Sequence, residues 1–134
     1  MSQGNVAIVR GIYAEWERGS MTAGVNLFHP EIAFESFMPD ANERVVANGP
    51  GEVETFMGEF LAQWRDYRLT GDEFRKVGAD KVVVAGRQAA IGRQSGVAVE
   101  SPMCSVWTFR SGEVVHLLFD PDHRKALEAA GLRE

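Results

Sequence analysis

The sequence predicts an α+β fold, and the stretch at 97–120 predicts it most clearly. It reads VAVESPMCSVWTFRSGEVVHLLFD, in which apolar, β-branched and aromatic residues alternate on both sides of a turn at RSGE. Alternation with a period of two is typical of strands, and Gly112 supplies the positive φ that a tight turn usually needs. Helical apolar stripes precede this hairpin, and the strands before it follow one another without a helix between them. Consecutive strands of this kind usually pair antiparallel, so the order favours an α+β fold over a parallel βαβ fold.

Length and composition indicate one globular domain over residues 1–134. The chain is 45% hydrophobic and 25% charged, and its net charge is −5. A chain of this size can bury a core of its own. The negative charge and the scattered Arg and Lys residues argue against nucleic-acid binding, which requires a basic patch. No apolar run approaches the roughly 18 residues that span a membrane, so we expect no membrane partner.

The start of the chain and its cysteine content bear on the compartment. The first residues, MSQGNVAIVRGIY, lack the basic and apolar regions of a secretory signal. The single cysteine, Cys104, cannot form an internal disulfide. We therefore expect a cytoplasmic protein.

The first third of the chain predicts two helices and a strand. Apolar residues recur at spacings of three and four over 4–18, which predicts an amphipathic helix ended by Gly19. A short second helix is expected at 20–28, before Pro30. The segment IAFESFM at 32–38 predicts the first strand.

The middle of the chain predicts a short strand and the most strongly patterned helix. The polar loop PDANERVVANGP contains a candidate strand at 44–47, and Pro50 suits the first turn of the helix that follows. The apolar stripe of this helix consists of Val53, Phe56, Met57, Phe60, Leu61 and Trp64.

The remaining segments predict strands and a final helix. Strands are expected at 67–77 and 81–93, and glycines at 86 and 92 in the second strand suggest bulges or sharp curvature. Both faces of the hairpin at 97–120 are apolar, so one face should cover a core or pocket and the other a partner or a helix. Pro121 opens a last helix through Ala130, with Asp120 as its candidate N-cap.

Four segments in this order resemble the SnoaL-like branch of the nuclear transport factor 2-like (NTF2-like) superfamily over essentially the whole chain. They are NVAIVRGIYAEWERGSM, LFHPEIAFES, VWTFRSGEVV and FDPDHRKALEAAGL. The resemblance implies a cone-shaped α+β barrel, in which a strongly curved, mostly antiparallel sheet wraps around a long helix. It also implies a deep, mostly apolar pocket and a homodimer formed through the outer face of the sheet. The family includes ketosteroid isomerases, polyketide cyclases and limonene epoxide hydrolase-like enzymes.

The catalytic residues of ketosteroid isomerases do not carry over to this chain. The segment FHPEIAFES looks similar, but Ser36 stands where those enzymes have their aspartate base. Their first-helix tyrosine aligns with Ile12, one position from Tyr13, and their second oxyanion donor aligns near Ser105. We therefore do not expect steroid isomerisation by that mechanism. Polyketide cyclases are similar in using an acidic residue late in the sheet, for which Asp120 is the nearest candidate.

Three residues are the catalytic candidates. Glu35, in an apolar-lined cavity, would have a raised pKa and could accept a proton near neutral pH. The alternative is a surface or interface glutamate, paired with Arg87. Tyr13 and Ser105 could donate hydrogen bonds to a developing oxyanion, whereas the alternative for Tyr13 is a core tyrosine with a backbone partner.

The expected pocket is largely aromatic and needs no cofactor. A buried Arg87 would imply a carboxylate or a ligand anion, but a solvent-facing position is the alternative. His116 and Asp120 lie about 13 Å apart along a strand, which is too far for a dyad. The sequence contains no Cys/His metal spacing, P-loop or GxGxxG, so neither a metal nor a nucleotide is expected. The pocket candidates are Trp16, Phe34, Ser36, Phe56, Phe60, Trp64, Arg87, Met103, Trp107, Leu117 and Phe119.

Together these features predict a pocket for a small, largely apolar, cyclic ligand. If the protein is an enzyme, cofactor-free proton transfer of the isomerase, cyclase or hydratase type is expected, with Glu35 as base and Tyr13 or Ser105 as donors. The alternative is a non-catalytic ligand-binding or dimerisation module, which the incomplete acid–base set favours. An ionisable group with a shifted pKa in the cavity would favour the enzyme, and a purely carbon-lined cavity would favour the binder.

Overall fold

The computed structural model describes residues 2–38 and 43–131. Within these residues, three helices and six strands follow one another as one helix, two strands, a helix, four strands and a helix. The helices are α1 (Ser2–Glu17), α2 (Gly49–Leu61) and α3 (His123–Ala129). The strands are β1 (Phe28–Met38), β2 (Glu43–Asn48), β3 (Trp64–Val77), β4 (Lys81–Gly92), β5 (Ala98–Arg110) and β6 (Glu113–Asp120).

The six strands form one mixed sheet in the order β2-β1-β6-β5-β4-β3. Every neighbouring pair is antiparallel except β1 and β6, which run parallel. The sheet is open, because β2 and β3 form its two edges. Helices α1 and α2 pack on its inner face, so the predicted α+β architecture, with a mostly antiparallel sheet around helices, is confirmed.

The hairpin at the centre of the sheet forms as predicted. Ser111 and Gly112 both have positive φ, at 53° and 82°, between the paired residues Arg110 and Glu113. Two central residues with positive φ match the twist of the flanking strands. Helix α3 covers the outer face of this hairpin, packing Ala126 and Leu127 against outer-face side chains of β4, β5 and β6.

The predicted second helix at 20–28 is wrong. Turns and one 3₁₀ turn at Val25–Leu27 replace it, since Gly24 has a φ of 93° that a helix interior does not allow. Pro30 therefore ends no helix but lies inside β1. The register between β1 and β6 is interrupted between Phe28 and Ala33, so the missing N–H of Pro30 costs no regular ladder bond.

Three smaller boundary predictions also change. Trp64 opens β3 instead of closing α2, because that helix ends at Leu61. The bulges expected in β4 lie in its partner strand, where register shifts occur within β3. The N-cap of α3 is Asp122, whose carboxylate accepts from two backbone N–H groups, whereas Asp120 accepts from the N–H of Asp122. Among the described residues, no helix combines the length and apolar character needed to cross a bilayer.

Candidate functional site

A cavity of about 300 Å³ lies between α2 and the inner face of the sheet. Its wall comprises Phe34, Ser36, Phe37, Phe56, Met57, Phe60, Trp64, Tyr67, Leu69, Gln88, Ala89, Ala90, Val99, Ser101, Met103 and Phe119. None of these lining residues is an Asp, Glu, Lys, Arg or His. The volume is at the lower end of the range usual for small-molecule pockets, and the apolar wall is typical of them.

Aromatic side chains from four elements form most of the wall. The ring of Phe34 on β1 lies 5.5 Å from that of Phe56 on α2 and 5.9 Å from that of Phe119 on β6. Phe60, one turn further along α2, stacks on Phe56 at 6.2 Å and meets Tyr67 edge-on at 5.3 Å. Helical spacing on α2 and alternation on the strands direct these rings to one space.

A row of three polar side chains interrupts the apolar wall. The hydroxyl of Tyr67 donates to Oε1 of Gln88 at 2.8 Å, and Nε2 of Gln88 donates to the hydroxyl of Ser101 at 3.1 Å. We call these three residues the polar row. Burial raises the pKa of Tyr67, so its hydroxyl stays protonated at neutral pH.

The sequence reasoning missed the polar row. Gln88 lies two residues from Ala90, and Ser101 lies two residues from Met103, so each faces the same side of its strand as a residue that lines the cavity. This alternation was the signal in the sequence that could have indicated their position. Each residue by itself looks like an ordinary polar strand residue. Their meeting depends on the register of three strands, which the sequence does not reveal.

Tyr13 and Ser105 come together behind the cavity and outside its wall. The Tyr13 hydroxyl lies 2.7 Å from Oγ of Ser105, and Nε1 of Trp107 donates to the same oxygen at 2.8 Å. All three side chains are buried in the core between α1 and the sheet. Burial raises the pKa of Tyr13. The partner of this tyrosine is thus a side chain, not the backbone group of the alternative interpretation.

Glu35 lies on the opposite face of β1 from Phe34 and Ser36. Its carboxylate is 2.7 Å from Nε2 of His116 and accepts from Arg44 at 3.2 Å. The hydrogen bond from His116, reinforced by the positive charge of Arg44, lowers the pKa of Glu35 despite partial burial. The expected raised pKa is therefore corrected, because the carboxylate sits in a polar network rather than an apolar cavity.

The same outer network includes Asp120. Nη2 of Arg44 lies 3.5 Å from Oδ2 of Asp120, which is almost fully buried. Arg44 thus bridges Asp120 and Glu35, and Asp120 also supports the start of α3. Both carboxylates of the sequence analysis are engaged on the side of the sheet away from the cavity.

The other pocket candidates divide between the cavity wall, the core and the surface. Trp16, Trp107 and Leu117 are buried in the core without lining the cavity. Arg87 is exposed and pairs with Asp72 at 2.9 and 3.0 Å, which matches the solvent-facing alternative and not a ligand anion. On the cavity wall are Phe34, Ser36, Phe56, Phe60, Trp64, Met103 and Phe119.

Over residues 2–38 and 43–131, no group of three or more His, Cys, Asp or Glu side chains is arranged to hold a metal ion. Cys104 is buried on the outer side of the sheet, and burial raises the pKa of its thiol.

Comparison with known proteins identifies the family. A model of the SnoaL-like domain matches residues 9–117. This chain belongs to the SnoaL-like family. No curated protein matches the sequence at a significant level.

Known structures of SnoaL-like and NTF2-like proteins share the fold. An NTF2-like protein of unknown function from Burkholderia pseudomallei superposes with a TM-score of 0.76 at 21% identity, over 92% of this chain and 95% of that one. A protein assigned as a SnoaL-like polyketide cyclase, from Jannaschia sp., gives 0.73 at 19% identity, over 88% and 85%. TerC, crystallised with polyporic acid, gives 0.73 at 19% identity, over 95% and 98%. At these identities the likeness concerns the fold.

Proposed function

We propose that this SnoaL-like protein binds an uncharged, largely apolar, cyclic compound in the cavity beneath α2. The observation that carries the proposal is the cavity wall, which is mostly aromatic and aliphatic and contains no Asp, Glu, Lys, Arg or His among the described residues that line it. Burying a charged ligand there would cost several kcal/mol, since no charged side chain among these described residues compensates its lost hydration. The facing rings of Phe56 and Phe60 favour a flat or cyclic ligand.

Binding without catalysis is the form of the proposal that the geometry supports best. Glu35 points away from the cavity and is held ionised by His116 and Arg44, so a ligand beneath α2 would not reach it. General base catalysis requires a base within hydrogen-bond reach of the substrate proton. No side chain on the described wall fills that role at neutral pH.

The second candidate function is cofactor-free proton transfer of the isomerase, cyclase or hydratase type. The protonated hydroxyl of Tyr67 on the cavity wall favours it, because such a donor can stabilise a developing oxyanion. Tyr13 and Ser105 lie outside the described cavity wall, so they would take part only if the substrate reached beyond that wall. The assignment of the Jannaschia structure as a polyketide cyclase is in keeping with this candidate.

We further propose that the protein is a cytoplasmic homodimer. Val46 on the edge strand β2 supports the dimer, because its side chain is 57% exposed and lies opposite Glu35 on the outer face of the sheet. An exposed aliphatic side chain beside a charged network suits the rim of an interface. Light scattering across micromolar concentrations should give twice the monomer mass, and the monomer mass throughout would overturn the dimer.

A calorimetric titration with a neutral and a charged bicyclic compound tests ligand binding. Tetralin should bind with measurable affinity, and naphthoate should bind at least tenfold more weakly because its carboxylate finds no counter-charge. Ala90→Phe, which places a ring in the cavity from β4, should abolish tetralin binding. The matched variant Ala7→Phe makes the same change on the exposed side of α1 and should leave binding intact.

Two results would overturn the proposal. One is tetralin binding that Ala90→Phe leaves unchanged while the variant remains folded by circular dichroism. The other is tighter binding of naphthoate than of tetralin.

A further inference from the structure

We infer that the ligand carries one uncharged oxygen, a carbonyl or a hydroxyl, which hydrogen bonds to the polar row formed by Tyr67, Gln88 and Ser101. This inference rests on the proposed function and narrows the class of ligand that the cavity would bind. The three residues lie on neighbouring strands, line the cavity and hydrogen bond to one another.

Strand register places the polar row on one side of the cavity. Gln88 on β4 pairs directly with Ser101 on β5, so their side chains stand side by side on the same face. Gln88 also pairs with Leu69 on β3. Tyr67 lies two residues before Leu69, within the register shift between Arg65 and Arg68, and the side chains of Tyr67 and Leu69 both line the cavity. All three side chains are half-buried.

A count of donors and acceptors shows what the row offers to a ligand. Gln88 uses its carbonyl oxygen for Tyr67 and one amide proton for Ser101. Among the described residues, no acceptor lies in hydrogen-bond contact with the second amide proton of Gln88 or with the hydroxyl proton of Ser101. A carboxamide has two donor protons and a serine hydroxyl has one, so two donors remain for a ligand oxygen.

The direction of hydrogen bonding along the row can reverse. Rotating the Gln88 carboxamide by half a turn exchanges its oxygen and nitrogen, so that Ser101 would donate to the amide oxygen and Tyr67 would accept from the amide nitrogen. The Tyr67 proton would then be free for the ligand. In both arrangements the row presents a donor to the cavity, and a ligand hydroxyl could in turn donate to the oxygen of Tyr67 or Ser101.

An apolar ligand without this oxygen would bind at a disadvantage. It would shield the free protons of Gln88 and Ser101 from water without replacing the lost hydrogen bonds, which is unfavourable. Phe56 and Phe60 lie on α2, so a ring held by α2 would direct its oxygen towards the sheet. The cavity therefore suits a cyclic ketone or alcohol better than the corresponding hydrocarbon.

The test compares tetralin with α-tetralone, which differ at one ring carbon that carries a carbonyl oxygen in the ketone. The measured quantity is the ratio of the two dissociation constants, tetralin over tetralone, for the wild type and for variants. Each single substitution would free a donor that the row otherwise uses, so the decisive variant carries Tyr67→Phe, Gln88→Leu and Ser101→Ala together. This triple variant should lower the ratio by about threefold to tenfold, the effect of at least one lost hydrogen bond. Gln94→Leu, the same change at an exposed position between β4 and β5, should leave the ratio unchanged. Thermal unfolding checks that every variant is folded.

The outcomes separate this inference from the proposed function. If both compounds bind but the triple variant leaves the ratio unchanged, the inference is overturned and the proposed cavity function stands. If Ser36→Ala alone lowers it, the polar contact lies on β1 and the inference is again overturned. If neither compound binds, the proposed function fails first and the inference falls with it.

Discussion

Replacing Ser105 by alanine should destabilise the fold strongly, although it removes a single oxygen atom. This oxygen is the shared partner of the Tyr13 hydroxyl and the Trp107 indole, at 2.7 and 2.8 Å. Ser105→Ala would leave two buried donor groups without that partner. Exposure at Tyr13 and Trp107 is 1% and 0%, so water cannot easily replace it.

The magnitude follows from the cost of unsatisfied buried groups. Each donor left without a partner costs about 1–3 kcal/mol, so two of them, after some relaxation, should lower the free energy of unfolding by about 2–4 kcal/mol. Tyr13→Phe should cost only about 1 kcal/mol, because Ser105 keeps its bond to Trp107. The double variant should cost less than the sum, since the unsatisfied tyrosine hydroxyl is then absent.

Urea denaturation followed by tryptophan fluorescence measures these differences. The slopes of the unfolding transitions should be equal, so that midpoints report stability. A cost below about 1 kcal/mol for Ser105→Ala, or strict additivity in the double variant, would contradict the three-residue hydrogen-bond network.

Three further predictions concern the outer network, a close backbone approach and a helix cap. The pKa of Glu35 is lowered in the folded state, so the ionised carboxylate stabilises the fold above the ordinary carboxyl pKa, and this stabilisation is lost as the pH falls through the pKa of the folded state. Urea midpoints measured between about pH 6 and 3 should therefore fall more steeply for the wild type than for Glu35→Gln. Gly86→Ala should lower the melting temperature sharply, since the added Cβ would clash with the backbone oxygen of Thr70. The control Gly58→Ala lies in open space on α2 and should raise the free energy of unfolding by about 0.5–1 kcal/mol. An unchanged melting temperature for Gly86→Ala would contradict the close approach of β3 and β4. Asp122→Ala should cost about 1 kcal/mol in urea denaturation through loss of the α3 cap, and an unchanged midpoint would show that the cap contributes little.

Local chemistry explains why much of the fold is predictable. The hairpin turn is specified by its own residues, since Gly112 tolerates a positive φ and the flanking alternation sets the register. Pro50 lies in the first turn of α2, as its fixed φ and missing N–H favour. The region at 20–28 was mispredicted because the positive φ at Gly24 breaks a helical pattern that composition alone suggests.

The candidate site depends on contacts between distant segments and was less predictable. Alternation along β1 already placed Glu35 opposite Phe34 and Ser36, but its partners come from β2 and β6. Those partners reverse the expected direction of its pKa shift. The polar row likewise requires the register of β3, β4 and β5, which no single segment encodes.

The position of a bound ligand is the most direct test of ligand binding in the cavity beneath α2. Met57 and Met103 line the cavity, whereas Met21 packs against the core without lining it. Methyl NMR of methionine-labelled protein, assigned with Met→Leu variants, would follow a titration with α-tetralone. We expect saturable shifts at the methyl groups of Met57 and Met103 and little change at Met21. Saturable binding that leaves Met57 and Met103 unshifted would place the ligand elsewhere and contradict binding in the cavity.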